Sequence, residues 1–183
     1  KDKKSKLYNR SYLINSSGNV VCKYDKIHMF DVNISKSESY KESKIFTKGS
    51  KIVTGKLPWG KIGMSICYDL RFPSLYRKLS LKGVNMISIP AAFTRPTGES
   101  HWRTLIKARA IENLSFVFAP AQCGINSKTR KTYGHSMIVS PWGEIIAEME
   151  GKPGTISAEI DTSDVLKVRK MIPSYKGTSI EKK

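Results

Sequence analysis

The chain has 183 residues, 39% hydrophobic and 26% charged, the composition of one soluble globular domain rather than of a disordered or fibrous chain. Its net charge of +17 is spread over nearly every segment, with no RNP, zinc-finger or helix-turn-helix pattern beside it. That favours a solvated lysine-rich surface over a nucleic-acid footprint. The three cysteines include no CxxC pair and no His at zinc spacing, so neither a disulfide framework nor a metal site is indicated.

No apolar run reaches the length of a membrane span, and KDKKSKLYNR lacks the apolar stretch of a secretion signal, so a cytoplasmic protein with no membrane partner is expected. These first residues read as the lead-in to a strand, and a further N-terminal portion is expected ahead of them. Leu7 to Ile14 and Val20 to Phe30 carry aromatic and β-branched residues at strand density around the turn Ser16-Ser17-Gly18, which predicts a hairpin. The following NISKSESYKESKIFTKGSK is polar and aperiodic apart from Tyr40 and Phe46, as suits a surface excursion.

KIGMSIC then reads as a strand, FPSLYRKLSLKG as a helix ending at Gly83, and VNMISIP as a second apolar strand. Such a β-α-β unit places its strands parallel, with ligands beyond their C-terminal ends, where Cys67 lies. A loop through AAFTRPTGES leads to a helix expected from Ser100 to Asn113, with Trp102, Leu105, Ile106 and Ala110 on one face. FVFAPA, HSMIVS and EIIAEM read as strands, the last two joined at Pro141-Trp142-Gly143, and GTISAEID as another. A final helix is expected from Asp161 or Ser163, burying Val165, Leu166 and Val168 or Met171 and stopping before Pro173. The sum is a single α/β domain over 1–183 with a mixed sheet.

A cysteine between a strand and a helix is open to two readings. It can be a nucleophile whose pKa the positive end of the helix lowers, with the next backbone N–H groups as an oxyanion hole. It can also be a small apolar residue in a core. A base to partner it is open among His28, His101 and His135, each in a different segment. Lys26, in step with Cys22 and Tyr24 on one strand face, is a candidate fixed cation for an oxyanion. Trp102, Ile111, Trp142, Cys22 and Cys123 read as packing.

KIHMFDV, YKES, GMSICYDLRFP, PAAFTRPTGESHW, KARAIEN and YGHSMIVSPWGE together resemble the nitrilase superfamily of carbon-nitrogen hydrolases, from Leu7 to about Tyr175. The resemblance is densest to Nit-type amidases, the branch of ω-amidase and deaminated-glutathione amidase. It implies an α-β-β-α sandwich, here incomplete at its N-terminus, and a Glu-Lys-Cys triad without cofactor or metal. Cys67 matches the nucleophile, Lys26 the oxyanion-stabilising lysine, and Glu42 a second glutamate that positions lysine and substrate. The backbone N–H of Tyr68 matches the oxyanion hole. The family's general base is a glutamate upstream of the part beginning at Leu7.

The expected reaction is hydrolysis of a small carboxylate-bearing amide to acid and ammonia through a cysteine thioester, with water as the other reactant. Arg71, Phe93, Thr94 and Arg95 are candidate substrate contacts, Arg71 either through a substrate carboxylate or tied up in an ion pair with Asp69. A homodimer is expected by resemblance alone. The alternatives are a non-catalytic copy of the fold serving as a binding or assembly module and, less favoured, a basic nucleic-acid binder.

Overall fold

The structure is a computed structural model and describes residues 7–35, 38–127 and 130–176. The chain opens with β1 (Arg10–Ile14) and β2 (Val20–Asp25), antiparallel around Gly18, whose φ of +78° suits glycine. The hairpin is as expected, but β2 ends at Asp25 rather than continuing to Phe30. Lys26 leaves the ladder there, its N–H donating to Asn9 O at 2.9 Å and its carbonyl accepting from Gly49 at 2.7 Å. The segment expected to be an irregular excursion contains a short antiparallel pair, β3 (Asp31–Asn33) and β4 (Ser39–Lys41), with Val32 opposite Tyr40, and then a 3-10 turn at Glu42–Lys44.

The strands β5 (Thr54–Leu57), β6 (Gly60–Met64), β7 (Met86–Ser88) and β8 (Phe116–Ala119) follow. Helix α1 (Pro73–Leu81) lies between β6 and β7, and α2 (Arg95–Asn113) between β7 and β8. A small hairpin, β9 (Cys123–Ile125) with β10 (Lys131–Tyr133), precedes β11 (Met137–Val139), β12 (Ile145–Glu148) and α3 (Ser163–Met171). The main sheet has the order β12-β11-β8-β7-β6-β5, parallel across β6, β7 and β8 and antiparallel at both edges. This is a mixed-sheet α/β fold, and the predicted β-α-β unit is its centre.

Alternation along the strands splits the sheet into two faces. Ile87, Val117, Ala119, Met137 and Val139 meet α1 and α2 through Leu79, Trp102 and Ile106 in the largest core cluster. Gly63 lets α1 close down on this face, since a Cβ there would lie 3.0 Å from the Leu79 methyls. On the other face Met64 packs with Tyr24 and Cys22 of the first hairpin, while Met86 and Phe116 pack with Ile160 and Val165. Among the described residues, the opposing layer of the expected sandwich therefore consists of that hairpin and the segment leading into α3.

Three local expectations change. Helix α2 starts at Arg95, not Ser100, because Pro96 in the first turn has the φ a helix needs and no N–H to waste. GTISAEID forms no strand; Ile160 packs onto the sheet face instead of extending its edge. In α3, Leu166 and Met171 stay 65% and 68% exposed, and the buried face is Val165 with Arg169. The guanidinium of Arg169 donates to Val84 O, Asn113 O and Ser115 Oγ at 2.6, 3.2 and 3.0 Å, holding the helix to the N-terminal ends of β7 and β8.

Candidate active site

At the opposite, C-terminal end of the parallel strands, β6 runs out at Met64 and the chain turns through Cys67–Arg71, a 3-10 helix. The turn is stitched to the extension of β7, where Ser65 N–H donates to Ser88 O at 3.1 Å and Cys67 N–H to Pro90 O at 2.9 Å. Cys67 itself has φ +50°. A left-handed non-glycine residue costs on the order of 1–3 kcal/mol and persists only where its surroundings over-determine it.

The surroundings are Asp69 and Arg109. Asp69 is fully buried and accepts from Tyr24 Oη at 2.7 Å, Ile66 N at 2.9 Å and His28 N at 3.0 Å, with His28 Nδ1 at 2.7 Å. One carboxylate thus ties the hairpin that delivers Lys26 to the turn that delivers Cys67. Arg109 of α2 donates from Nε and Nη2 to Leu70 O at 2.9 and 2.8 Å and holds the turn from the other side. From the sequence, Asp69 is only a candidate ion-pair partner of Arg71 and Arg109 is not singled out, although both lie in motifs that carry the resemblance.

Lys26, 2% exposed, forms an ion pair with Glu42, whose carboxylate also accepts from Phe30 N at 2.7 Å and Asn9 Nδ2 at 3.0 Å. Burial alone would raise the pKa of Glu42, but these donors outweigh it and hold the carboxyl below its ordinary value. Cys67 runs the other way. Burial pushes its thiol up, against a backbone hydrogen bond from Ala92 and the positive charge of Lys26, while Glu42 adds to the rise and Arg130 opposes it. The lowering expected from a following helix does not prevail, because α1 begins only at Pro73, beyond the short 3-10 turn.

These groups face a cavity of about 580 Å³ lined by Lys26, Glu42, Cys67, Tyr68, Arg71, Phe93 and Thr94 among others. Arg95, also expected there, is not in this lining. It sits in the first turn of α2, pairs with Glu99 at 2.8 Å and borders a separate, smaller depression of about 310 Å³. The ion pair considered between Arg71 and Asp69 is not formed; Arg71 lies 5.2 Å over the Phe93 ring and 3.3 Å from His101 Nδ1. None of the three histidines lines the main cavity. His28 stacks on Phe72 at 3.6 Å and His135 lies 3.2 Å from Glu148, so both have structural partners. Glu42 is the one carboxylate among the described lining residues. Among the described residues no three His, Cys, Asp or Glu side chains group as metal ligands.

The sequence profile described as carbon-nitrogen hydrolase matches residues 1–170. The chain belongs to the carbon-nitrogen hydrolase family. It is 46% identical over 171 residues to a deaminated glutathione amidase of Synechocystis sp. strain PCC 6803, covering 92% of this chain and 63% of that protein. With the enzyme of the same name from Dictyostelium discoideum it shares 42% over 176 residues, covering 95% of this chain and 60% of the relative. The chain therefore spans less than two thirds of the length of these relatives.

Solved structures of the nitrilase superfamily agree with the fold. The C. elegans NitFhit protein superposes with a TM-score of 0.89 at 37% identity, covering 100% of this chain and 45% of that one. Saccharomyces cerevisiae Nit3, a member of branch 10 of the superfamily, gives 0.83 at 33%, covering 93% of this chain and 59% of its own.

Proposed function

We propose that this chain carries the nucleophilic centre of an amidase that hydrolyses a small carboxylate-bearing amide through a thioester on Cys67. The observation that carries the reading is the convergence on one cavity of a strained Cys67 and a buried, ion-paired Lys26, delivered by two different elements. The relatives named deaminated glutathione amidase support amide hydrolysis by the family and suggest an amide of that type; an amide of a 2-oxo acid is the alternative that the sequence resemblance implies.

Cys67 is held as a thiol, so attack requires a base to take its proton. Sγ adds to the amide carbon, and the oxyanion that forms is stabilised by the Lys26 ammonium and the N–H of Tyr68, in the first turn of a helix. The base returns the proton to the departing nitrogen, as ammonia or an amine, leaving a thioester. It then takes a proton from water, which attacks the thioester carbon and releases the carboxylate, and Sγ recovers its proton. Glu42 is an unsuitable base, because its ionised form is held by Lys26, Phe30 and Asn9. Its role is to orient Lys26, and proton transfer is assigned to a carboxylate outside the described lining residues.

An activated acyl donor tests the nucleophile without that base, since p-nitrophenolate leaves unprotonated. The p-nitrophenyl ester of a monosuccinate, at mildly alkaline pH, is expected to deposit one acyl group on Cys67, found by peptide mass mapping and absent from Cys67→Ala. Acylation spread evenly over Cys22, Cys67 and Cys123 would overturn the reading.

A further inference from the structure

The end of the domain opposite the Cys67 cavity carries groups that hydrolysis does not use. The β5–β6 turn closes at Gly60, where β6 begins, and the β11–β12 turn follows Val139, which stands opposite Val117 near the start of β8. Both hairpins therefore turn at the N-terminal end of the parallel strands, and each carries a tryptophan at its tip. Trp59 is 61% exposed and Trp142 52%, so Trp142 is not the packing residue expected from the sequence. Ile111, also expected as packing, lies exposed against Gly143 beside it. In the strand order β12-β11-β8-β7-β6-β5 the two tips are four strand spacings apart, about 19 Å.

Basic side chains accompany the tips. Lys56 and Lys61 stand directly opposite each other on β5 and β6, and like charges so placed weaken a ladder unless a counter-charge meets them. Lys61 Nζ reaches Lys82 O, at the end of α1, at 2.9 Å, and Lys78 lies in the last turn of the same helix. Lys107 of α2 approaches Gly143 at the other tip. Among the described residues none of these five lysines pairs with a carboxylate. Of the acidic residues on these elements, those at this end are Glu144 and Glu112, and Glu112 is already paired with Arg109. From Ser43 to Gly98 the sole acidic residue is Asp69, buried at the opposite end.

We infer that this end is a docking surface for a bilayer with anionic headgroups, with Trp59 and Trp142 seated at headgroup level and the lysines facing the lipid charges. Two exposed tips so far apart meet one partner together when that partner is broad and flat, and neither of the two cavities described above borders either tryptophan. The indole ring suits the boundary between headgroup and acyl chain because its body is apolar and its N–H polar. Lysines near an anionic leaflet add electrostatic attraction. No helix among the described residues is long and apolar enough to cross a membrane. The lack of a span, from which no membrane partner is expected in the sequence, does not bear on a peripheral contact. Docked in this way, the Cys67 cavity faces water and stays open to a dissolved amide.

Co-sedimentation of the chain with vesicles of phosphatidylcholine containing about 30% phosphatidylserine, against vesicles of phosphatidylcholine alone, tests this. Binding is expected to the anionic vesicles only. Lys56→Gln with Lys61→Gln is expected to weaken it about 25-fold, about 5-fold for each lysine, and Trp59→Ser or Trp142→Ser about 10-fold each. A net charge of +17 attracts any anionic surface, so the control removes the same charge elsewhere. Lys23→Gln with Lys131→Gln, at exposed positions of β2 and β10, is expected to weaken binding less than about 3-fold. Urea midpoints matching the parent's verify that each variant is folded. Equal weakening by the two lysine pairs would overturn the inference, as would tryptophan variants that bind like the parent or a parent that stays in the supernatant. Retention on polyuridylic acid that depends on Trp59, without binding to the vesicles, would overturn it in favour of nucleic acid.

Discussion

Replacing Asp69 by Asn tests whether one buried carboxylate holds the site together. The two oxygens of Asp69 divide the work: Oδ2 accepts from Tyr24 Oη and Ile66 N, and Oδ1 from His28 N with the His28 ring alongside. An amide keeps one acceptor oxygen and turns the other into a donor, so whichever way it settles, it faces donors on one side. Two hydrogen bonds to a charged group are lost, each contributing about 1.5–3 kcal/mol, and a buried N–H is stranded. After relaxation the expected loss is about 3–5 kcal/mol, a large part of the roughly 5–15 kcal/mol that stabilises a domain. Urea unfolding followed by circular dichroism reads it.

A second consequence follows from where the donors sit. His28 is two residues from Lys26, and Ile66 is adjacent to Cys67, so release of either moves a reacting group. Displacement by about 1 Å lowers a reaction of aligned groups by about 100-fold. The rate of acyl transfer from the p-nitrophenyl ester to Cys67 is expected to fall by about that much in the folded fraction of Asp69→Asn. A variant that unfolds within about 1 kcal/mol of the parent and acylates Cys67 at the parent rate would refute the argument.

Arg109→Leu removes both donors to Leu70 O and the contact with Glu112; a loss of about 2–4 kcal/mol is expected by the same unfolding assay. Glu42→Gln leaves Lys26 buried without its counter-charge and is expected to cost about 3 kcal/mol near neutral pH. Because the folded pKa of Glu42 lies below its ordinary 4.5, the parent's advantage is complete above that value and drains away as pH falls through the folded pKa. Urea midpoints of the two chains should therefore converge in acid, and a gap that stays constant would count against the pairing. The raised pKa of Cys67 predicts that its alkylation by iodoacetamide in the free protein keeps accelerating above the ordinary 9.0, and a plateau below that value would contradict it. Leu166→Gln, at an exposed position of α3, is expected to be neutral within about 0.5 kcal/mol, whereas Arg169→Leu should destabilise by about 2 kcal/mol or more.

The elements whose signals are local are legible in the amino-acid order alone. The first hairpin, the β-α-β unit around Cys67, the apolar face of α2 and the stop of α3 at Pro173 all follow from alternation, three-and-four spacing and turn residues within a few positions of one another. The motifs likewise singled out Lys26, Glu42 and Cys67, which share the main cavity. The remaining features depend on partners far apart in the chain. Arg169 displaces Leu166 from the buried face of α3 because the carbonyls of Val84 and Asn113 are waiting for donors there. The same cause gives Asp69, Arg109 and Arg130 their places: each is a charged side chain whose meaning lies in groups 38 or more residues away. Periodicity reports which residues avoid water, but a buried charge is placed by the donors and acceptors that folding brings to it, and these leave no period in the sequence.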